Sequence, residues 1–218
     1  EYGTFRPLLP NGEFLKPFNP LMGANFEPNH GFHEGNAWTY SFAIPFDIPG
    51  LVKLMGGKQK FVNRLQATFD KGYFDVTNEP DMLYPHVFSE IKGEEWRMQK
   101  LVKDIFDKHF TNSPGGIPGN DDTGTMSTWA LMNMIGIYPF CPGRPDYTVV
   151  TPVFDKVTIQ LDKKYYPNAD KVTIRRQKEE TGDYIKKIVI DGKPFKGFKI
   201  SQQTLVNSRD ILIVTGNR

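Results

Sequence analysis

Residues 119–139 read GNDDTGTMSTWALMNMIGIYP, and the hydrophobic pattern of the chain changes within this stretch. Apolar residues recur at helical spacing from residue 123 to residue 137, which predicts a helix there. The apolar stripe consists of Met126, Trp129, Ala130, Met134 and Ile137. Beyond Pro139, apolar residues alternate with polar ones, as they do in half-buried strands. The stretch therefore separates a helical region from a β region and predicts an α+β fold.

Helical spacing also precedes this stretch, and strand spacing follows it. Helices are predicted over residues 37–44, 49–55, 58–70 and 94–110. Strands are predicted around residues 157–161, 172–174, 188–190 and 211–214, with Asp191-Gly192 as a hairpin turn. Residues 1–33 contain five prolines and are expected to be irregular. We therefore expect two domains: a mainly helical one over residues 1–140 and an antiparallel β segment over residues 141–218.

The composition excludes several classes of protein. The net charge of the 218 residues is +2 at pH 7, which is too small to indicate nucleic-acid binding. No apolar run approaches the roughly 18 residues that a membrane-spanning helix needs. Cys141 is the single cysteine, so an internal disulfide and a four-cysteine zinc site are excluded. Residues 1–140 hold 16 acidic and 12 basic side chains, so carboxylate chemistry or a cation site is expected there.

Three acidic loops, each just ahead of a helical segment, carry the residues best suited to chemistry. They are residues 33–38, 77–80 and 118–124. In a helical barrel such loops gather at one end, so carboxylates that are distant in sequence would converge. Each acid could instead have a purely structural role, because a carboxylate at a helix start caps free backbone N–H groups and interacts favourably with the helix dipole. The residues alone leave both interpretations open.

Six short motifs follow one another along the chain. They are Glu34-Gly-Asn-Ala-Trp38, Met55-Gly-Gly57, Asn78-Glu-Pro80, Gly119-Asn-Asp-Asp-Thr-Gly124, Met126-Ser127-x-Trp129 and Gly136-x-Tyr138-Pro139. Their order and spacing resemble glycoside hydrolase family 92, a family of calcium-dependent exo-acting α-mannosidases that invert the anomeric centre. The resemblance extends over residues 1 to about 155 and is looser beyond them. It implies a partial (α/α)6 helical barrel followed by a small antiparallel β domain.

The resemblance implies a catalytic pair. Glu34 corresponds to the general acid that protonates the leaving glycosidic oxygen, and Asp122 corresponds to the general base that activates water. Asn120 stands where many relatives have an acid that assists the base, so an amide replaces that acid here. Inversion requires one protonated and one ionised carboxyl group about 6.5–9.5 Å apart, so that the sugar and one water molecule fit between them.

The resemblance also implies binding residues. Asn78 and Glu79, with the Thr77 carbonyl as a weaker ligand, correspond to a calcium-binding loop, and their oxygen atoms suit a hard cation. We expect Trp38 and Asp121 to contact the sugar. The alternative for Trp38 is a residue of the helix core, since large aromatic side chains are usually buried.

The chain is shorter than the family's architecture requires. Twelve helices with their connections need at least about 200 residues, whereas residues 34–138 supply only five or six helices. We therefore expect the first barrel half and an N-terminal β-sandwich to be missing, no signal peptide at residue 1, and little hydrolysis by this chain alone. The resemblance implies a mannose-containing glycan as substrate and a secreted, periplasmic or cell-surface location.

Two other interpretations stay open from the sequence. The first is a non-catalytic fragment that binds glycans or takes part in assembly, which would not turn over substrate. The second is a metal-free inverting glycosidase on the same type of barrel, although the Asn78-Glu79-Pro80 loop argues against it.

Overall fold

The computed structural model describes residues 3–23, 31–167 and 169–218. Its contacts divide the chain into two compact units, residues 1–87 and 88–218. This division falls earlier than the predicted domain boundary after residue 140, which lies close to the change from helix to strand. Within the described ranges, no helix has both the length and the hydrophobicity needed to cross a membrane.

The first unit is built from short helices. They are α1 (Ala37–Tyr40), α2 (Ile48–Leu54), α3 (Lys58–Asp70), a 3-10 helix (Glu79–Leu83) and α4 (Tyr84–Val87). The predicted helices 49–55 and 58–70 are confirmed to within one residue. The predicted helix 37–44 ends at Tyr40 instead. Turns follow it as the chain approaches Pro45, because proline disfavours helical backbone in the residue before it.

An aromatic cluster forms the centre of the first unit. The Phe42 ring lies 5.8 Å from Phe61 and 6.0 Å from Tyr84, with edge-to-face geometry in both pairs. All three side chains are fully buried, as is Leu65 one turn after Phe61. Since Phe42 follows α1 and Tyr84 begins α4, this cluster anchors the two elements whose preceding loops carry candidate site residues.

The second unit begins with a 3-10 helix over Phe88–Glu90. The helices α5 (Glu95–His109), α6 (Thr125–Ile135) and α7 (Gln202–Asn207) follow it. The predicted helices 94–110 and 123–137 are confirmed, each with slightly shorter ends. The rings of Phe106, Phe110 and Trp129 stack in sequence at 5.5 and 5.3 Å. This stack joins the end of α5 to α6.

Among the described residues of the second unit, eight strands form two sheets. The smaller sheet has the order β1 (Ile137–Tyr138), β2 (Asp146–Val149) and β7 (Lys199–Ser201). The larger sheet has the order β3 (Lys156–Gln160), β4 (Lys171–Lys178), β8 (Asp210–Gly216), β5 (Tyr184–Ile190) and β6 (Lys193–Phe195). Buried residues of both sheets and of α7 share one core: Ile137, Val149, Val172, Ile174, Ile188, Ile200, Leu205, Ile211 and Ile213.

The predicted antiparallel arrangement needs one correction. Strands β4 and β8 run parallel, with Ile174 opposite Ile211, whereas the other strand pairs are antiparallel. Alternating apolar residues define the faces of a strand and not its direction. The long connection from β4 to β8 gives the chain room for a parallel crossover.

Two further expectations have different outcomes. The Asp191-Gly192 hairpin is confirmed, since it joins β5 to β6 with φ angles of 48° and 79°, as a two-residue turn requires. The partial (α/α)6 arrangement of the helices stays a prediction.

Gly136→Ala is expected to lower the free energy of unfolding by about 3 kcal/mol. Gly136 follows α6 with a φ of 104°, and a Cβ atom there would lie 2.6 Å from Cγ of Pro152. The matched control is Gly143→Ala, where φ is 83° but an added Cβ has no described atom within 4 Å. The control should cost only about 1–2 kcal/mol, because it adds backbone strain without a clash. Equal losses in urea unfolding would contradict this explanation.

Candidate active site

The predicted general acid lies in a left-handed turn ahead of α1. Glu34 has a φ of 53°, which is uncommon for a residue with a side chain. Its carboxylate is exposed and lies 3.8 Å from Nε2 of His33. Its backbone carbonyl accepts a hydrogen bond from the Nδ2 amide of Asn78. The first acidic loop and the predicted cation loop are therefore in direct contact.

Tyr40, at the end of α1, lies against the acid turn. Its hydroxyl donates a 2.7 Å hydrogen bond to the His33 carbonyl. Burial raises the pKa of Tyr40, and the charges of Glu34, Asp81 and Glu79 raise it further. Carboxylates from both loops are thus within electrostatic range of one phenol, which stays protonated at neutral pH.

The loop that carries the predicted cation ligands is ordered by Asp75. The Asp75 carboxylate accepts hydrogen bonds from the backbone N–H of Thr77 at 2.9 Å and from its hydroxyl at 2.7 Å. Within the described part of the chain, neither Oδ1 of Asn78 nor the Glu79 carboxylate has a hydrogen-bond partner. These oxygen atoms suit calcium.

The protein ligands at this loop are few. The described residues contain no group of three His, Cys, Asp or Glu side chains that could hold a metal ion. A calcium ion at residues 77–79 would therefore complete its coordination with backbone carbonyls, water or ligand hydroxyls, which is common for this cation. The donor set fits calcium on these terms.

Asp81 is a buried carboxyl group immediately beyond this loop. Its side chain is 1% exposed, and its Oδ2 accepts a 2.8 Å hydrogen bond from the Asp75 backbone N–H. Burial raises the pKa of Asp81 to about 7, and the Asp75 carboxylate adds to the shift while the Asp75 N–H opposes it. The neighbouring phenol of Tyr84 is also buried, and its pKa is raised by burial and by the charge of Asp81.

Trp38 is fixed by contacts with α3 and the segment after it. Its indole Nε1 donates a 2.9 Å hydrogen bond to the Thr68 hydroxyl, and the Arg64 guanidinium lies 4.0 Å from its ring. The Tyr73 ring approaches edge-on at 5.1 Å. The indole is half-buried, and sugar contact at this residue stays a prediction.

The predicted base lies in the second unit, in a turn with three successive left-handed residues. Asp122, Thr123 and Gly124 have φ angles of 27°, 54° and 86°. Non-glycine residues in this region cost free energy and cluster at functional sites. Only four described non-glycine residues have positive φ, namely Glu34, Asp122, Thr123 and Asp191, so both predicted catalytic carboxyls are among them.

The neighbouring acid has a structural role. Asp121 accepts hydrogen bonds from the backbone N–H and the hydroxyl of Ser127, both at 2.8 Å. These bonds lower the pKa of Asp121. Asp121 therefore caps the start of α6, as the structural alternative for this loop expects. Its contact with the sugar stays a prediction. The side chains of Asp122 and Asn120 are exposed and have no hydrogen-bond partner among the described residues.

Residues 1–217 match the sequence model of the glycosyl hydrolase family 92 catalytic domain. The chain belongs to glycosyl hydrolase family 92. It is also 27% identical over 224 residues to an uncharacterized secreted glycosidase from Arthroderma benhamiae, in an alignment that covers 98% of this chain and 28% of that protein.

Two solved structures of family 92 enzymes share the fold of this chain. The α-mannosidase BT3965 from Bacteroides thetaiotaomicron, in complex with mannoimidazole, superposes with a TM-score of 0.85 at 22% identity. The alignment covers 98% of this chain and 30% of that one. The inverting mannosidase BT2199 from the same organism gives 0.79 at 22% identity, over 95% and 30% of the two chains. The chain thus spans less than a third of the length of these relatives.

Within this family 92 chain, the structure brings part of the predicted site together. Glu34 and Asn78 are in contact in the first unit, whereas Asn120, Asp121 and Asp122 share one turn in the second. Tyr40 and Asp81 are not among the site residues predicted from the sequence. The apolar run after Asp81 is a signal that this acid borders a buried segment, and Tyr40 lies in the first predicted helix after the acid turn.

Proposed function

We propose that this chain supplies the catalytic residues of an exo-acting, inverting α-mannosidase, with Glu34 as general acid and Asp122 as general base. The proposal is supported most directly by the backbone at these two residues. Each is a non-glycine residue in the left-handed region with an exposed carboxylate, just ahead of a helix. Membership of family 92 and the mannosidase relatives support the same assignment.

Two proton transfers describe the proposed reaction. Protonated Glu34 donates its proton to the glycosidic oxygen as the bond from that oxygen to the anomeric carbon breaks. Ionised Asp122 accepts a proton from a water molecule whose oxygen bonds to the anomeric carbon from the opposite face. The released mannose has inverted configuration, and the two carboxyls end with exchanged protonation states. Asn120 is proposed to orient the water, and Trp38 to bind the sugar.

The proposed cation site consists of Asn78, Glu79 and the Thr77 carbonyl. Calcium bound there would contact two hydroxyls of the mannose and favour the flattened ring of the transition state. The chain itself fixes the loop, through the Asp75 carboxylate and the hydrogen bond from Asn78 to the Glu34 carbonyl.

The remaining parts of the enzyme are also proposed. The relatives are more than three times longer, so we propose that an N-terminal β-sandwich and a first barrel half complete the site. A mannose-containing glycan is the proposed substrate. The relative named as a secreted glycosidase supports a location outside the cytoplasm.

Calcium removal tests the proposal in an assay of aryl α-mannoside or mannobiose hydrolysis. The chain alone should release little mannose, and addition of the complementary segments should restore release. EDTA should then reduce the rate to background, and calcium should restore it better than magnesium, which demands a smaller octahedral site. Full activity in EDTA would favour a metal-free glycosidase, and mannoside binding without turnover would favour a glycan-binding fragment.

A further inference from the structure

The turn over residues 33–35 is held from two sides by side chains of different elements. On one side, the Tyr40 hydroxyl donates to the carbonyl of His33 at 2.7 Å. On the other side, the Asn78 amide donates to the next carbonyl along the chain, that of Glu34. Consecutive carbonyls of one strained turn are therefore fixed by α1 and by the cation loop.

Packing leaves the turn little freedom to adjust. The Tyr40 ring stacks on Phe32 with 5.7 Å between centroids. Gly35 lies against the same ring, so closely that an added Cβ would overlap its Cε2 atom. Asn36 caps α1 by accepting a 3.1 Å hydrogen bond from the Thr39 backbone N–H. The Tyr40 side chain thus contacts the residues on both sides of Glu34, His33 and Gly35.

The Asn78 side chain links the acid turn to the cation loop. Its amide group is planar, and its nitrogen is already used by the Glu34 carbonyl. The orientation of the amide therefore fixes where its Oδ1 atom points, and Oδ1 is the oxygen left for a cation. A shift of the acid turn would rotate or release this ligand.

We propose that Tyr40 is a positioning residue that couples the general acid to the cation loop. By fixing the His33 carbonyl, it holds the Glu34 carbonyl within reach of the Asn78 amide. This inference rests on the proposed function, because it assumes a calcium ion at residues 77–79 and an acid role for Glu34. Coupling between two sites is reciprocal, so loosening the acid turn weakens calcium binding.

Calcium affinity, measured by isothermal titration calorimetry of the 218-residue chain, tests the coupling without relying on activity. Tyr40→Phe removes only the hydroxyl that reaches His33, and it should weaken calcium binding roughly 10-fold, as removal of a supporting hydrogen bond does at other metal sites. Gly35→Ala displaces the same ring by a different route and should also weaken binding. Tyr73→Phe is the matched control, because its ring packs on Trp38 and not on the turn, and its calcium affinity should equal that of the parent.

A second readout uses the completed enzyme, that is, this chain together with its complementary segments. The dependence of its rate on the leaving group would not change if Tyr40 had a merely structural role. Tyr40→Phe should slow hydrolysis of mannobiose about 10-fold more than hydrolysis of 2,4-dinitrophenyl α-mannoside, since a good leaving group needs little help from the acid. If Tyr40→Phe and Gly35→Ala both kept the calcium affinity of the parent, or if both substrates were slowed equally, the coupling would be overturned and the proposed cation site would stand. Absence of calcium binding by the parent chain would overturn the proposed cation site together with the coupling.

Discussion

Asp122→Asn should lower kcat for α-mannoside hydrolysis by roughly 10³-fold in the completed enzyme, within the usual range for loss of general base catalysis. The amide has almost the same size as the carboxylate but cannot accept a proton from the attacking water. Since the Asp122 side chain is exposed and has no hydrogen-bond partner among the described residues, the substitution leaves folding intact. Steady-state kinetics with an aryl α-mannoside measures the loss.

The companion variant Glu34→Gln distinguishes the two roles. It removes the proton donor, so it should slow mannobiose strongly and an activated aryl mannoside much less. Asp122→Asn should slow both substrates to a similar degree, because both need an activated water. Asp104→Asn serves as the control, since this side chain is exposed on α5 and forms an ion pair with Lys100 on the same helix. If Asp122→Asn kept more than a tenth of the parent rate, another group would have to be the base.

Asp81→Asn should remove a large part of the pH dependence of stability. Asp81 in the folded state keeps its proton up to its raised pKa of about 7, whereas an unfolded aspartate releases the proton near the ordinary pKa of 3.8. This group therefore contributes stability that is fully present below pH 3.8 and is lost as the pH rises toward 7. Between pH 5 and pH 8 the parent should lose about 3 kcal/mol more than the Asn variant.

Urea unfolding in calcium-free buffer at several pH values measures this difference. An asparagine at residue 81 can still accept the hydrogen bond from the Asp75 N–H, so the variant should also be the more stable protein at pH 8. Asp104→Asn, at an exposed site, should follow the parent at every pH. Parallel curves for Asp81→Asn and the parent would show that the buried group is ionised in the folded protein.

The elements that the sequence predicts well are those determined by local patterns. The spacing of Phe61, Leu65 and Phe69 predicts α3, and Asp191-Gly192 predicts the β5–β6 hairpin, because both depend on neighbours along the chain. The acidic loops are also visible, since Gly, Asn and Asp side by side favour left-handed turns at helix starts.

The features that the sequence does not predict depend on contacts between distant residues. The parallel pairing of β4 with β8 is set by the sheet and not by either strand's own pattern. Burial of Asp81 depends on the aromatic cluster around Tyr84, and the bond from Asn78 to Glu34 joins residues 44 positions apart. Contacts between residues that are far apart in the chain leave no local pattern in a single sequence.

The separation between the carboxyl carbons of Glu34 and Asp122 tests the central claim most directly. A crystal structure of the completed enzyme with a mannose-like inhibitor would provide it. An inverting mannosidase requires about 6.5–9.5 Å, with the sugar and one water between the two groups. A distance near 5 Å would indicate a retaining mechanism, and carboxyls at opposite ends of the helical layer would contradict the assignment of both residues.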